Sequence, residues 1–142
     1  MQSDLERNIA IVQELVQAMD AGDLAVLDSL CAPGFVAHFN GIDLSSAQVR
    51  EAAAKFVDAF PDLKHSLRSI EADGDRVTLH ALDTATHCGM YKGIPPTNAK
   101  VEFETNATYR IESGKIAEVW QQMDVEGLTR QIRAGTRKGI ED

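Results

Sequence analysis

An α+β fold is predicted by three features of the chain. Through the first 60 residues apolar side chains recur every three or four positions, as on one face of an amphipathic helix. After Pro61 the period drops to two, the signature of strands with one buried face. That alternating half is broken by two turn signals, Asp73-Gly74-Asp75 and Ser113-Gly114. Helices followed by an antiparallel meander imply a curved sheet with the helices packed on one face.

In the first segment, Leu5, Ile9, Val12, Leu15, Val16 and Met19 share a stripe, which predicts a helix over 4–21 ending at Gly22. Asp23 is placed to cap a second helix over 24–30, which stops at the Ala-Pro-Gly turn at 32–34. Residues 35–39 alternate as a short strand. A third helix starts near Ser45 or Ser46, with Val49, Ala52, Ala53, Phe56 and Phe60 on one stripe, and ends before Pro61. Strands follow over 67–72 and 76–87, then a stiff loop over 93–99 rich in Pro and Gly. Strands over 101–111 and 115–123 form a hairpin, and a short helix over 125–132 closes the fold. Residues 1–134 form one domain without repeat or linker, and the polar tail 135–142 is expected to fray.

A chain of 142 residues can bury a substantial core. Its formal net charge is −8, from 22 acidic and 14 basic residues, which disfavours a phosphate-binding surface and docking on anionic membranes. Cys31 and Cys88 are far apart and fit neither a disulfide framework nor a zinc site. No three histidines have metal-ligand spacing, and no nucleotide-binding or nucleophile-elbow motif occurs. The N-terminus lacks a secretory pattern, and no apolar run approaches membrane-spanning length. A cytoplasmic protein without metal, cofactor or nucleic-acid partner is expected.

The second half carries an ordered series of short motifs: Phe60-Pro61-Asp62-Leu63, Thr86-His87-Cys88-Gly89, Gly93-Ile94-Pro95-Pro96-Thr97, Val101-Glu102-Phe103, Gly114-Lys115-Ile116 and Trp120-Gln121-Gln122-Met123-Asp124. In order and spacing, over about residues 5–130, this series resembles the SnoaL-like polyketide cyclases, or ester cyclases. These share the cone-shaped fold of nuclear transport factor two. The resemblance implies a cone-shaped barrel of a mainly antiparallel, mixed sheet, with the N-terminal helices on its concave face enclosing an apolar pocket, often in a homodimer. It also implies cofactor-free chemistry on a small hydrophobic carbonyl compound. In the family's cyclases an aspartate at the end of the last strand removes a proton beside a carbonyl, and the enolate closes a ring by aldol condensation. Asp124 holds that position. The same resemblance places Gln and His where this chain has Thr105 and Ala107.

The residues themselves support a site as follows. Side chains alternate along a strand, so Trp120, Gln122 and Asp124 point one way, offering an apolar wall, a hydrogen bond and a carboxylate. An apolar pocket would raise the carboxylate's proton affinity toward that of a working base. The competing reading makes Asp124 the N-cap of the last helix. His80, where relatives often have arginine, is a second catalytic candidate able to relay a proton, or else a structural histidine. His38 and Tyr91 are candidates for the cavity mouth, and Asn106 joins them if a bulge turns it inward. His87 is expected to fix a strand end, and His65 to be exposed. The alternatives to a cyclase are a non-catalytic binding or dimerisation domain, and an isomerase, dehydratase or hydroxylase on the same scaffold.

Overall fold

The computed structural model describes residues 3–141, with side chains placed through residue 135. Ser3 caps the first helix, α1 (Asp4–Asp20), by accepting the Glu6 N–H. Its apolar stripe buries Val12, Leu15 and Val16. A single turn and a half, α2 (Val26–Leu30), leads into β1 (Cys31–Phe39), which starts earlier than the expected 35–39. The hairpin partner β2 (Ile42–Ser45) carries almost no buried side chain, and the sequence pattern did not announce it. Ser45 and Gln48 form a capping box at the start of α3 (Ser46–Ala59), each side chain satisfying the other's main-chain N–H.

The strands β3 (Lys64–Asp73), β4 (Arg76–Thr86), β5 (Lys100–Glu112) and β6 (Lys115–Met123) form the meander. Six strands are ordered β2-β1-β6-β5-β4-β3, antiparallel except where β1 runs parallel to β6. The sheet is therefore mixed and open, with β2 and β3 as edges; it does not close into a barrel. The helices cover one face only.

Alternation along β4 and β5 is strict. Val77, Leu79, Ala81, Asp83 and Ala85 turn toward the helices, as do Val101, Phe103, Thr105, Ala107, Tyr109 and Ile111. One core cluster joins α1 to the middle of the sheet. A second, built on Phe60, Val101, Phe103, Leu128 and Ile132, seats α4 (Val125–Glu141). That last helix runs past the expected 125–132, so the tail expected to fray falls mostly on residues whose side chains lie outside the described part.

Candidate active site

Between the helices and the sheet lies a cavity of about 840 Å³, large enough for a multi-ring ligand. Its walls are mainly apolar, with Leu15 and Val16 of α1, Phe56 of α3, Phe103 of β5 and Val119 of β6 among them. Lys55, Asp58 and Lys92 also line it. Tyr91 lines it as well. Its ring sits edge-on to Phe56 and Phe60, and burial pushes its phenol up.

The face of β6 that meets the cavity is Val119, Gln121 and Met123, not Trp120 and Gln122. The register explains why. Ala37 pairs with Val119 while His38 pairs with Trp120, so a buried alanine and the exposed histidine network fall on opposite faces. Trp120 lies on the open face, stacked on His38 at 5.4 Å between ring centres, with the Arg76 guanidinium 4.7 Å above its ring. His38 contacts Asp43 and Glu118 there, each at 2.6 Å, and those carboxylates push its imidazole up. Asn106 pairs with both His80 and Gln122, and no bulge occurs in that stretch to reverse it. Hence Trp120, Gln122, His38, His80 and Asn106 are brought together, but on the sheet face remote from the cavity.

Asp124 is exposed and serves the other role the sequence allowed. Its Oδ1 accepts the Gly127 N–H at 2.9 Å, so it caps α4. A Cβ at Gly127 would collide with that carboxylate, so the glycine leaves it room.

The cavity has a different carboxylate, Asp83, only 2% exposed. Thr105 donates its hydroxyl to Asp83 Oδ2 at 2.6 Å, and His65 Nε2 stands 3.5 Å from the same oxygen. Oδ1 is buried with no hydrogen-bond partner among the described residues. Desolvation pushes the Asp83 carboxyl up, and the His65 charge only partly opposes it. His65 is not exposed as expected. It lines the cavity with its Nδ1 2.5 Å from Asp20 Oδ1, while its main-chain N–H donates to Asp20 Oδ2 at 3.1 Å. Nearby, Tyr109 is deeply buried, and burial together with Asp83 pushes its phenol strongly up. Thr105 and Ala107 do face inward, and Thr105 acts as a partner for this acid rather than for Asp124.

His87 fixes a strand end as expected. Its ring accepts the Thr97 N–H, and its main-chain N–H and C=O bond to Ala99 and Asn98. Among the described residues no group of three or more His, Cys, Asp or Glu is placed to hold a metal, and no helix is long and apolar enough to cross a membrane.

The family model for SnoaL-like polyketide cyclase matches residues 9–132. The chain belongs to that family. No curated protein matches the sequence. Solved structures with the same fold include AclR, a putative hydroxylase from Streptomyces galilaeus, at 29% identity and a TM-score of 0.87, covering 92% of this chain and 98% of that one. A putative SnoaL-like polyketide cyclase from Jannaschia sp. CCS1 superposes at 0.84 with 21% identity, over 93% and 96% of the two chains. IdmH, a putative polyketide cyclase from Streptomyces antibioticus, superposes at 0.79 with 24% identity, over 88% and 97%. This family member thus carries its buried acid on β4, while the carboxylate ending β6 caps a helix.

Proposed function

We propose that the protein binds a small hydrophobic carbonyl compound in the cavity and moves a proton on it with Asp83. The observation that carries this reading is the Asp83 Oδ1 lone pairs, left without a partner in an apolar wall. A buried acceptor without a partner costs about 1–3 kcal/mol, which a purely structural aspartate has no reason to retain. A substrate C–H beside a carbonyl reaches that oxygen once the side chains that cover it give way. Oδ1 takes the proton, and the C–H electron pair becomes an enolate. The enolate carbon bonds to a second carbonyl carbon of the same molecule, whose π pair moves onto oxygen and takes the proton back. Atoms and charge balance without a further reagent, as in the ring-closing addition step of an intramolecular aldol condensation. Gln121 is the polar group of β6 on that side able to hold a carbonyl oxygen. Cofactor independence and a cytoplasmic homodimer belong to the same proposal.

The likeness to AclR favours a second reading, hydroxylation, which would start from the same proton removal. Both are tested with β-tetralone, a flat apolar ketone with an acidic C–H. The protein should speed exchange of its α-hydrogens for deuterium in D2O, followed by proton NMR. Asp83→Asn should lower that rate by about 10²–10⁴ with the fold intact. An unchanged rate would remove Asp83 from the chemistry. Oxygen uptake with the same ketone would select the hydroxylase reading.

A further inference from the structure

The cavity also holds a polar group without a protein partner, the hydroxyl of Tyr109. Tyr109 follows Thr105 and Ala107 on the inward face of β5, so its ring rises from the same side of the sheet as the Thr105–Asp83 pair. It belongs to the core cluster with Leu15, Val16, Cys31 and Phe35, and with them it lines the cavity. The residue is 8% exposed, yet its hydroxyl makes no hydrogen bond among the described residues. Nor is that oxygen sealed in protein. The partnerless polar side-chain atoms that are sealed, among the described residues, are Asp83 Oδ1 and His87 Nε2. The Tyr109 oxygen therefore opens on the cavity its residue lines. A buried tyrosine ordinarily bonds its hydroxyl to the protein, and a phenylalanine would fill the same place with no polar atom to satisfy.

We infer that the Tyr109 hydroxyl donates a hydrogen bond to the substrate's carbonyl oxygen and holds it as that oxygen takes on charge. The inference rests on Asp83 being the base of the cavity. When Asp83 removes the hydrogen, the C–H pair forms the C=C bond of the enolate and the carbonyl π pair moves onto oxygen. The phenol keeps its own hydrogen and tightens its bond to that oxygen, a stabilisation aimed at charge that develops in the transition state. Burial and the Asp83 charge both disfavour the phenolate, so Tyr109 remains a donor. That Asp83 acts on the phenol also matches Tyr109 to the carbonyl whose neighbouring carbon Asp83 deprotonates. Gln121 stands on the adjoining strand, paired with Ala107, while Val119 pairs with Tyr109. Its amide is left for the second carbonyl, the one the enolate carbon attacks. One acid and two donors thus suit a flat apolar compound carrying two carbonyls. Exposed Met90 and Lys55 line the same cavity, so it reaches solvent, and water can exchange the hydrogen that Asp83 has taken.

The test sets β-tetralone beside 2-naphthol, an aromatic analogue of its enol, and tetralin, which has the same ring skeleton and no oxygen. Tyr109→Phe should lower deuterium entry into β-tetralone about 10²–10³-fold, through kcat. By titration calorimetry it should bind 2-naphthol about 10-fold more weakly and tetralin as tightly as the wild type does. A tyrosine kept for packing alone would not separate the two ligands. Wild-type exchange, an unmoved 2-naphthol affinity or an equal loss for tetralin would each overturn the assignment, while Asp83 keeps its role if Asp83→Asn is inactive. Wild-type exchange in Asp83→Asn would instead overturn the base and, with it, the catalytic role of Tyr109. If Tyr109→Phe does not fold, carbon-13 NMR of the tyrosine Cζ in Tyr91→Phe, where Tyr109 is the remaining tyrosine, takes its place. That signal should shift with 2-naphthol and far less with tetralin, and an equal response to both would overturn the assignment.

Discussion

Asp124 offers a sharp separation between a helix cap and an acid. Its side chain makes one capping hydrogen bond, to the Gly127 N–H, and α4 beyond it inserts Leu128 and Ile132, both fully buried, into the second core cluster. Asp124→Ala removes that bond, and losing an N-cap of this kind costs about 1 kcal/mol. For a domain of this size that corresponds to a midpoint about 3–5 °C lower in thermal unfolding. Asp124→Ser keeps an oxygen for the Gly127 N–H and removes the carboxylate. The serine variant should therefore melt close to wild type and exchange β-tetralone hydrogens at the wild-type rate. Gly127→Ala, whose Cβ pushes the carboxylate off the cap, should reproduce the alanine variant's loss. Circular dichroism and the exchange assay measure both quantities on one sample. A serine variant of normal stability that loses exchange would return the acid/base role to Asp124, and one that melts as low as the alanine variant would refute the capping argument.

Burial raises the Asp83 carboxyl in the folded state, so folding is favoured most at pH below the ordinary Asp value of about 3.9 and loses that contribution as pH rises through the raised value. Asp83→Asn lacks this dependence, and its urea midpoint should gain on wild type between pH 4 and 7; a constant difference would contradict the shift. A Cβ at Gly89 would press into the Asp58 carbonyl oxygen and stand 3.1 Å from the Ala59 Cα. Gly89→Ala should therefore break the Gly89 N–H bond to Ala59 and cost about 1–3 kcal/mol, read from the same urea curves. Burial pushes the Cys31 thiol up to about 11, whereas Cys88 is exposed. Iodoacetamide at pH 8 should label Cys88 and reach Cys31 only in urea, as mass spectrometry of peptides would show.

Periodicity made the scaffold legible, because helices and the long strands bury one face each. It left β2 unread, since that strand buries almost nothing and owes its existence to pairing with β1. Alternation also sorts a strand into two faces without saying which is inside. In β6 both faces carry large apolar side chains, Trp120 on one and Val119 and Met123 on the other, so the lone tryptophan pulled the assignment the wrong way. Its ring finds cover on the open face from His38 and Arg76 instead. Asp83 did leave a mark. It is the acid in the run Val77, Leu79, Ala81, Asp83, Ala85, where an apolar residue belongs. Its partners His65 and Asp20 could not be read in the same way, because they come from other elements that meet only when α1 packs across β3 and β4.

One side-chain amide completes the hydrogen bonding of β5 at Glu102. Strand β6 pairs with β5 only from Thr105 onward, which leaves Lys100 to Glu104 without a strand on that side. Gln131 of α4 fills the gap, accepting the Glu102 N–H at 2.8 Å and donating to the Glu102 carbonyl at 2.7 Å. A raw strand border is a template on which a foreign chain can grow. The final helix therefore acts as a guard rail, and losing its grip would expose the protein to chain-to-chain stacking well before its interior came apart.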